Sequence, residues 1–216
     1  RLYVAGSAGQ PQTWWASQTA DFENHTPDNR EGDNDGTVAD DDALDFTLSA
    51  DEVNAIRWLS PGKNLVIGTT GGEWTATSDG SVITPTDVDV KRKTKHGSAR
   101  VQPVRIGTLV LFLQKAKRKI RQFGFDFASD SEEAFDMNRL ADTITKGGIT
   151  EISYQQDPHS TLWCVRADGQ VPILSHLREE EVVGWTRTIF GGVFGAGDAV
   201  CESTAAIPGV AATNSE

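Results

Sequence analysis

The feature that most constrains this chain is a repeated unit, in which a short apolar strand leads into a tight hairpin. The three clear copies begin at Leu65, Leu109 and Leu162, which are 44 and 53 residues apart, and a fainter copy begins at Arg1. One blade of a β-propeller is made of four short strands and needs about 40–50 residues. The spacing therefore predicts an all-β fold of propeller-like repeats of short antiparallel strands.

Local patterns place the strands and one helix. Residues 120–127 alternate apolar and polar side chains, which predicts a strand, and the Asp168-Gly169 pair between two apolar runs predicts a hairpin turn. The exception is residues 131–141 (SEEAFDMNRLA), where we expect one short helix. Ser131 is suited to the N-cap, and the acidic side chains that follow it favour the first helical turn.

The units combine into a predicted single propeller-like domain over residues 1–208, with about four blade-like units and a C-terminal tail at residues 209–216. Residues 18–43 are polar, acidic and without periodicity, which predicts a long inserted loop. Residues 200–207 resemble the first strand of another unit. Either this segment pairs with residues 1–4 to close the ring, or the propeller is incomplete. We expect a fragment of a longer protein.

Charge is unevenly distributed along the chain. The formal net charge of −11 disfavours general attraction to nucleic acid. Residues 21–52, however, contain twelve acidic residues and one basic residue, whereas residues 91–121 contain eleven basic residues and no acidic one. No apolar run approaches the roughly 20 residues of a membrane helix, so no membrane span is predicted. Cys164 and Cys201 are too few for a disulfide framework, and Cys164 is predicted to be a buried thiol.

The basic run contains a candidate nucleic-acid contact. Lys115, Lys117, Lys119 and Arg121 alternate with other residues around a predicted hairpin tip, and a period of two would place them on one face. Such a face beside a channel would contact phosphates without reading base sequence. The alternative is a solvated turn that balances an acidic loop of the same chain or of a neighbouring subunit.

The acidic loop contains a candidate calcium site. Residues 31–42 place oxygen-bearing side chains and a glycine at EF-hand positions, the candidate ligands being Glu31, Asp33, Asp35 and Asp42. Glu at the first position, Asp at the twelfth and the preceding Pro27 depart from that pattern. The sequence is compatible with both a calcium-binding loop and a solvated acidic loop. No other cofactor is predicted.

Catalytic signals are weak, and we expect a protein that is not an enzyme. The four histidines are scattered without metal-ligand spacing, and no nucleophile elbow or phosphate-binding loop is present. The abundant carboxylates keep a glycoside hydrolase as a less favoured alternative. Four tryptophans fall on strand patterns, at positions 58, 74, 163 and 185. We expect them to pack between sheets and not to form a sugar-binding platform.

Several long segments resemble a family of large tail proteins of short-tailed bacteriophages and prophages. They include RLYVAGSAGQPQTWWASQTADFEN, GSARVQPVRIGTLVLFLQKAKRKIRQFGFDF and LWCVRADGQVPILSHLREEEVVGWTRTIFGG, and the resemblance extends over residues 1–208. It implies a nozzle-like or hub-like structural component made in the bacterial cytoplasm and located in the virion tail. It also implies a homo-oligomeric ring around passing DNA and contacts with other tail proteins. The alternative is a module that binds a host-surface glycan or protein.

Overall fold

All regular structure in the described part of the chain is β-strand. The computed structural model describes residues 1–27, 38–50, 52–80, 82–177, 182–195 and 197–207. Consecutive strands pair antiparallel with their neighbours, so each larger sheet is a meander. This architecture follows from short apolar runs separated by turn residues, and it confirms the predicted all-β class.

Four sheets follow one another along the chain. The first contains β1 (Tyr3–Ala5), β2 (Thr13–Ala16) and β3 (Leu44–Thr47). The second contains β4 (Ile56–Ser60), β5 (Leu65–Thr69), β6 (Gly72–Thr77) and β7 (Asp89–Thr94). The third contains β8 (Val104–Ile106), β9 (Leu109–Leu113), β10 (Ile120–Asp126) and β11 (Ser131–Asp136). The fourth contains β12 (Ile149–Gln155), β13 (Thr161–Arg166), β14 (Val171–Leu177) and β15 (Val182–Thr188), and a short hairpin follows it, β16 (Val193–Phe194) with β17 (Gly197–Asp198).

Neighbouring sheets share hydrophobic cores. The first and second sheets enclose one core, which includes Trp14, Ile67 and Trp74. The third and fourth sheets enclose another, and a smaller cluster joins the second sheet to the third. In that smaller cluster the rings of Trp58 and Phe112 lie with centroids 5.5 Å apart. Each sheet therefore buries apolar side chains against the next one.

The sheets are consecutive antiparallel meanders, and within the described residues they do not close into a ring. β1 lies at the edge of its sheet, and residues 200–207 contain no strand. Cys201 instead donates its backbone N–H to Gly169 O at 3.0 Å, and the Thr204 hydroxyl lies 2.8 Å from that of Ser153 on β12. The expectation that residues 200–207 form a leading strand was wrong, because this segment is held by the fourth sheet.

The helix expected over residues 131–141 is absent. Residues 131–136 form β11, which pairs with β10 and places Ala134 opposite Phe123. Asp126 fixes the preceding turn, since its carboxylate accepts hydrogen bonds from the backbone and hydroxyl of Ser129. Pairing with the free edge of β10 and burial of Ala134 outweigh the local capping signals, which act only within one helical turn.

Candidate anion-binding surface

The turns at one end of the sheets lie side by side, and backbone hydrogen bonds hold them together. Ser98 donates to Thr69 O at 2.7 Å, which places the β7–β8 connection on the β5–β6 turn. Lys115 donates to Gly97 O at 2.9 Å, and Ile149 donates to Lys117 O at 2.7 Å. Residues 95–98, 114–119 and 142–148 therefore form one continuous surface, which we call the basic end.

The basic end carries several uncompensated positive charges. Four exposed lysines there have no ion pair within the described residues, namely Lys95, Lys115, Lys117 and Lys146. Arg118 has a distant partner, with its Nη2 3.8 Å from Asp142 Oδ2. Exposed lysines on adjoining turns produce a local positive potential despite the negative charge of the whole chain.

The four basic residues singled out from the sequence divide into two pairs. Lys115 and Lys117 are exposed at the tip of the β9–β10 hairpin. Lys119 Nζ lies 2.5 Å from Asp136 Oδ2, and Arg121 donates to Gln114 Oε1 at 2.9 Å and to Ala134 O at 2.7 Å. Residues 115–119 form the turn itself, so a strand period does not apply to them. Lys115 and Lys117 are thus available to a ligand, whereas Lys119 and Arg121 brace β11.

Sequence reasoning missed three members of this surface. Lys95 and His96 enter it on the β7–β8 connection, and Lys146 enters it on the β11–β12 connection. The KRKTKH run at residues 91–96 was a usable signal. That this run lies beside Lys115 depends on the order of the sheets, which the periodicity of the sequence does not reveal. Partial burial and the nearby Arg121 lower the pKa of His96.

A buried carboxyl group lies beneath the basic end. Glu73 on β6 is completely buried. The hydroxyl groups of Thr94 and Ser98 donate hydrogen bonds to its two oxygens, the latter at 2.9 Å. Burial raises the pKa of Glu73, and these hydrogen bonds oppose part of that rise. The group has no ion pair within 4.0 Å among the described residues.

The opposite end of the sheets is acidic. Arg1 donates to the backbone oxygens of Ser17 and Asp42, and the Thr86 hydroxyl bonds to the Asp40 carboxylate, so the long loop lies beside the β6–β7 connection. The acidic residues at this end are Asp126, the last residue of β10, and on the described connections Asp21, Glu23, Asp40, Asp41, Asp42, Asp79, Asp87, Asp130 and Asp157.

The candidate calcium loop falls mostly outside the described residues, which is where Glu31, Asp33 and Asp35 lie. Asp42 is buried, and its Oδ2 accepts a hydrogen bond from the backbone of Ala39 at 2.8 Å. This carboxylate caps a turn. Within the described ranges, no three His, Cys, Asp or Glu side chains form a group that could hold a metal ion.

The tryptophans and Cys164 are packed within the sheets. All six tryptophans lie in the described part of the chain, and each is buried or partly buried. The indole N–H of Trp163 donates to Gln155 Oε1 at 3.0 Å, and that of Trp185 donates to Met137 O at 2.8 Å. Cys164 is buried, which raises the pKa of its thiol, and it forms no disulfide with Cys201.

Comparisons with known proteins leave the family open. No family model and no curated protein matches this chain. None of the described residues forms a helix that is long and apolar enough to span a membrane. The resemblance to phage tail proteins therefore stays a prediction.

Proposed function

We propose that this chain is a structural module of a bacteriophage tail, and that its basic end contacts the phosphate backbone of DNA without reading base sequence. The observation that carries the DNA contact is the group of four exposed lysines, without ion pairs among the described residues, on three adjoining turns. Lysine ammonium groups bind phosphates as point charges, and such contacts carry no sequence information. The tail location rests on the sequence resemblance.

The net charge of −11 does not oppose this contact. The acidic turns lie at the other end of strands that are five to seven residues long in β9, β10 and β13. Such strands span roughly 17–23 Å, and the Debye length at physiological salt is about 8 Å. The acidic end is therefore largely screened from DNA at the basic end.

Duplex DNA fits the surface better than a single strand does. Residues 95–98, 114–119 and 142–148 contain no phenylalanine, tyrosine or tryptophan. Single-strand binding sites generally stack bases on such rings. Contacts made by lysine alone suit a regular phosphate backbone.

Fluorescence anisotropy with two short labelled duplexes of unrelated sequence tests the DNA contact. We expect similar affinities for both duplexes and a steep loss of affinity with salt. Lys115→Glu/Lys117→Glu should reduce the slope of log K against log salt by about 2, which is roughly 1 per lost phosphate contact. Lys63→Glu is the control, because Lys63 is exposed in the β4–β5 turn at the opposite end.

An unchanged slope in the double variant would contradict the DNA contact. The tail location is tested separately, by mass spectrometry of particles purified from a lysogen that carries the gene. Peptides of this chain should accompany the tail proteins. Their absence from purified particles would contradict a virion role even if the isolated protein binds DNA.

A further inference from the structure

We propose that DNA binding at the basic end is coupled to the protonation of Glu73, so that affinity falls when this carboxyl group loses its proton. The inference rests on the proposed function and adds a control of the same surface. It starts from a buried titratable group that neither the DNA contact nor the sheet pairing requires.

The geometry holds Glu73 directly against the segment that carries Lys95 and His96. Its two carboxyl oxygens accept hydrogen bonds from the hydroxyl groups of Thr94 and Ser98, which precede and follow those two residues. The β7–β8 connection also approaches the β5–β6 turn closely. Gly97 has φ +72°, and a Cβ atom there would lie 2.5 Å from Thr70 O. The connection therefore has a fixed position over Glu73.

The same connection is bonded to the hairpin tip. His96 O accepts a hydrogen bond from Gln114 Nε2 at 3.4 Å, and Gly97 O accepts one from the Lys115 backbone at 2.9 Å. Gln114 in turn accepts a hydrogen bond from the Arg121 guanidinium at 2.9 Å. A charge on Glu73 thus lies against one of the three segments of the basic end, and a second segment is hydrogen-bonded directly to that first one.

Burial makes that charge effective at a distance. Water and salt ions do not reach a completely buried group, so its field is screened less than the field of an exposed carboxylate. Arg121 is the cation whose charge acts on Glu73. The charged and titratable groups on β7, the β7–β8 connection, the β9–β10 turn, β10 and β11 are Asp89, Lys91, Arg92, Lys93, Lys95, His96, Arg100, Lys115, Lys117, Arg118, Lys119, Arg121, Asp126, Glu132, Glu133 and Asp136.

The sign of the coupling follows from linkage. An ionised Glu73 lowers the positive potential of the basic end and weakens phosphate binding. By reciprocity, bound phosphates favour the protonated carboxyl group. Because burial raises the pKa of Glu73, this group loses its proton at a higher pH than an exposed glutamate does. Affinity should therefore decrease as pH rises through the Glu73 titration, and DNA binding in that range should be accompanied by proton uptake.

The experiment compares DNA affinity over a pH series that spans the Glu73 titration, for proteins with and without the Glu73 proton site. His96 is a second titratable group of the basic end, so all variants carry His96→Gln. In this background, Glu73→Gln should bind the duplex about threefold more tightly than the protein that keeps Glu73 at the upper pH, as expected for one unit charge at roughly 10 Å. The two curves should converge at the lower pH. Glu23→Gln is the matched control, because it removes an exposed glutamate at the acidic end.

Each outcome decides between the two proposals. One outcome is that the plots of DNA affinity against pH run parallel for the proteins with and without Glu73→Gln, while binding still depends on Lys115 and Lys117. That result would overturn the coupling and leave the proposed function intact. No Lys115-dependent binding at any pH would overturn both. Carbon-13 NMR of the glutamate side chains provides a second readout. The Glu73 titration midpoint should move to higher pH when the duplex is added, and an unmoved midpoint would contradict the inference.

Discussion

At the residue scale, the contact between Trp58 and Gly68 within the second sheet shows how tightly the indole ring is held where this sheet meets the third. Gly68 is the partner of Trp58 across β4 and β5, and the indole ring lies over it. A Cβ atom on Gly68 would lie 2.0 Å from Trp58 Cε2. Trp58 is 4% exposed and packs on Phe112, so it has little room to move. The glycine is required for packing between sheets and not for a turn.

We therefore expect Gly68→Ala to lower the free energy of unfolding by about 1–3 kcal/mol, the usual cost of overpacking a core. Gly184→Ala is the control, because Gly184 also lies within a strand and a Cβ atom there would meet nothing within 4 Å. Urea denaturation followed by tryptophan fluorescence measures both. Equal stabilities for the two variants would show that Trp58 adjusts without cost.

At the element scale, strands and tight turns were predictable where the signal is local, and the positions of the longer connections were not. Alternation over residues 120–127 predicted β10, and Asp168-Gly169 predicted the β13–β14 turn, where Gly169 has φ +78°. The capping signals at Ser131 led to a wrong helix prediction. The sequence of residues 131–141 does not show that β10, which precedes it, offers a free strand edge for pairing. Lys95 and Lys146 reach the basic end only through the order of sheets, so the candidate site was predicted at the hairpin tip alone.

Asn138 fixes the β11–β12 connection, which carries Lys146, to the β9–β10 hairpin. It is completely buried, and its Oδ1 accepts a hydrogen bond from the backbone N–H of Ile120 at 2.7 Å. Asn138→Ala leaves that N–H without its partner, so we expect a loss of about 1–3 kcal/mol in stability. Arg139→Ala, at an exposed neighbour, should cost little. Thermal unfolding measures the stability of both variants. An unchanged unfolding midpoint for Asn138→Ala would show that this side chain does not stabilise the β11–β12 connection.

At the scale of the whole molecule, charge is separated along the strand direction. The described acidic residues of the β2–β3 loop lie at the end opposite to Lys95, Lys115 and Lys117 of the basic segment, and Asp79, Asp87 and Asp130 on neighbouring turns add further negative charge to the acidic end. The sequence showed the two blocks, but only the sheet order reveals that they face away from each other. Under the proposed function, we expect this separation to attract a DNA duplex to one end and repel it from the other, which would orient its approach.

The joint between the two halves of the molecule is the small cluster around Phe112, since each larger core belongs to a different pair of sheets. Phe112 is completely buried, and its truncation to alanine should cost about 3–5 kcal/mol. Because that loss falls on the contact between halves, we expect hydrogen exchange in Phe112→Ala to accelerate in β4–β6 and β8–β10 more than in β13 and β14. Phe135→Ala, at a 43% exposed position on β11, is the control and should change neither group. A uniform acceleration across all four sheets would instead indicate that the molecule unfolds as one cooperative unit, with stability shared along the whole stack.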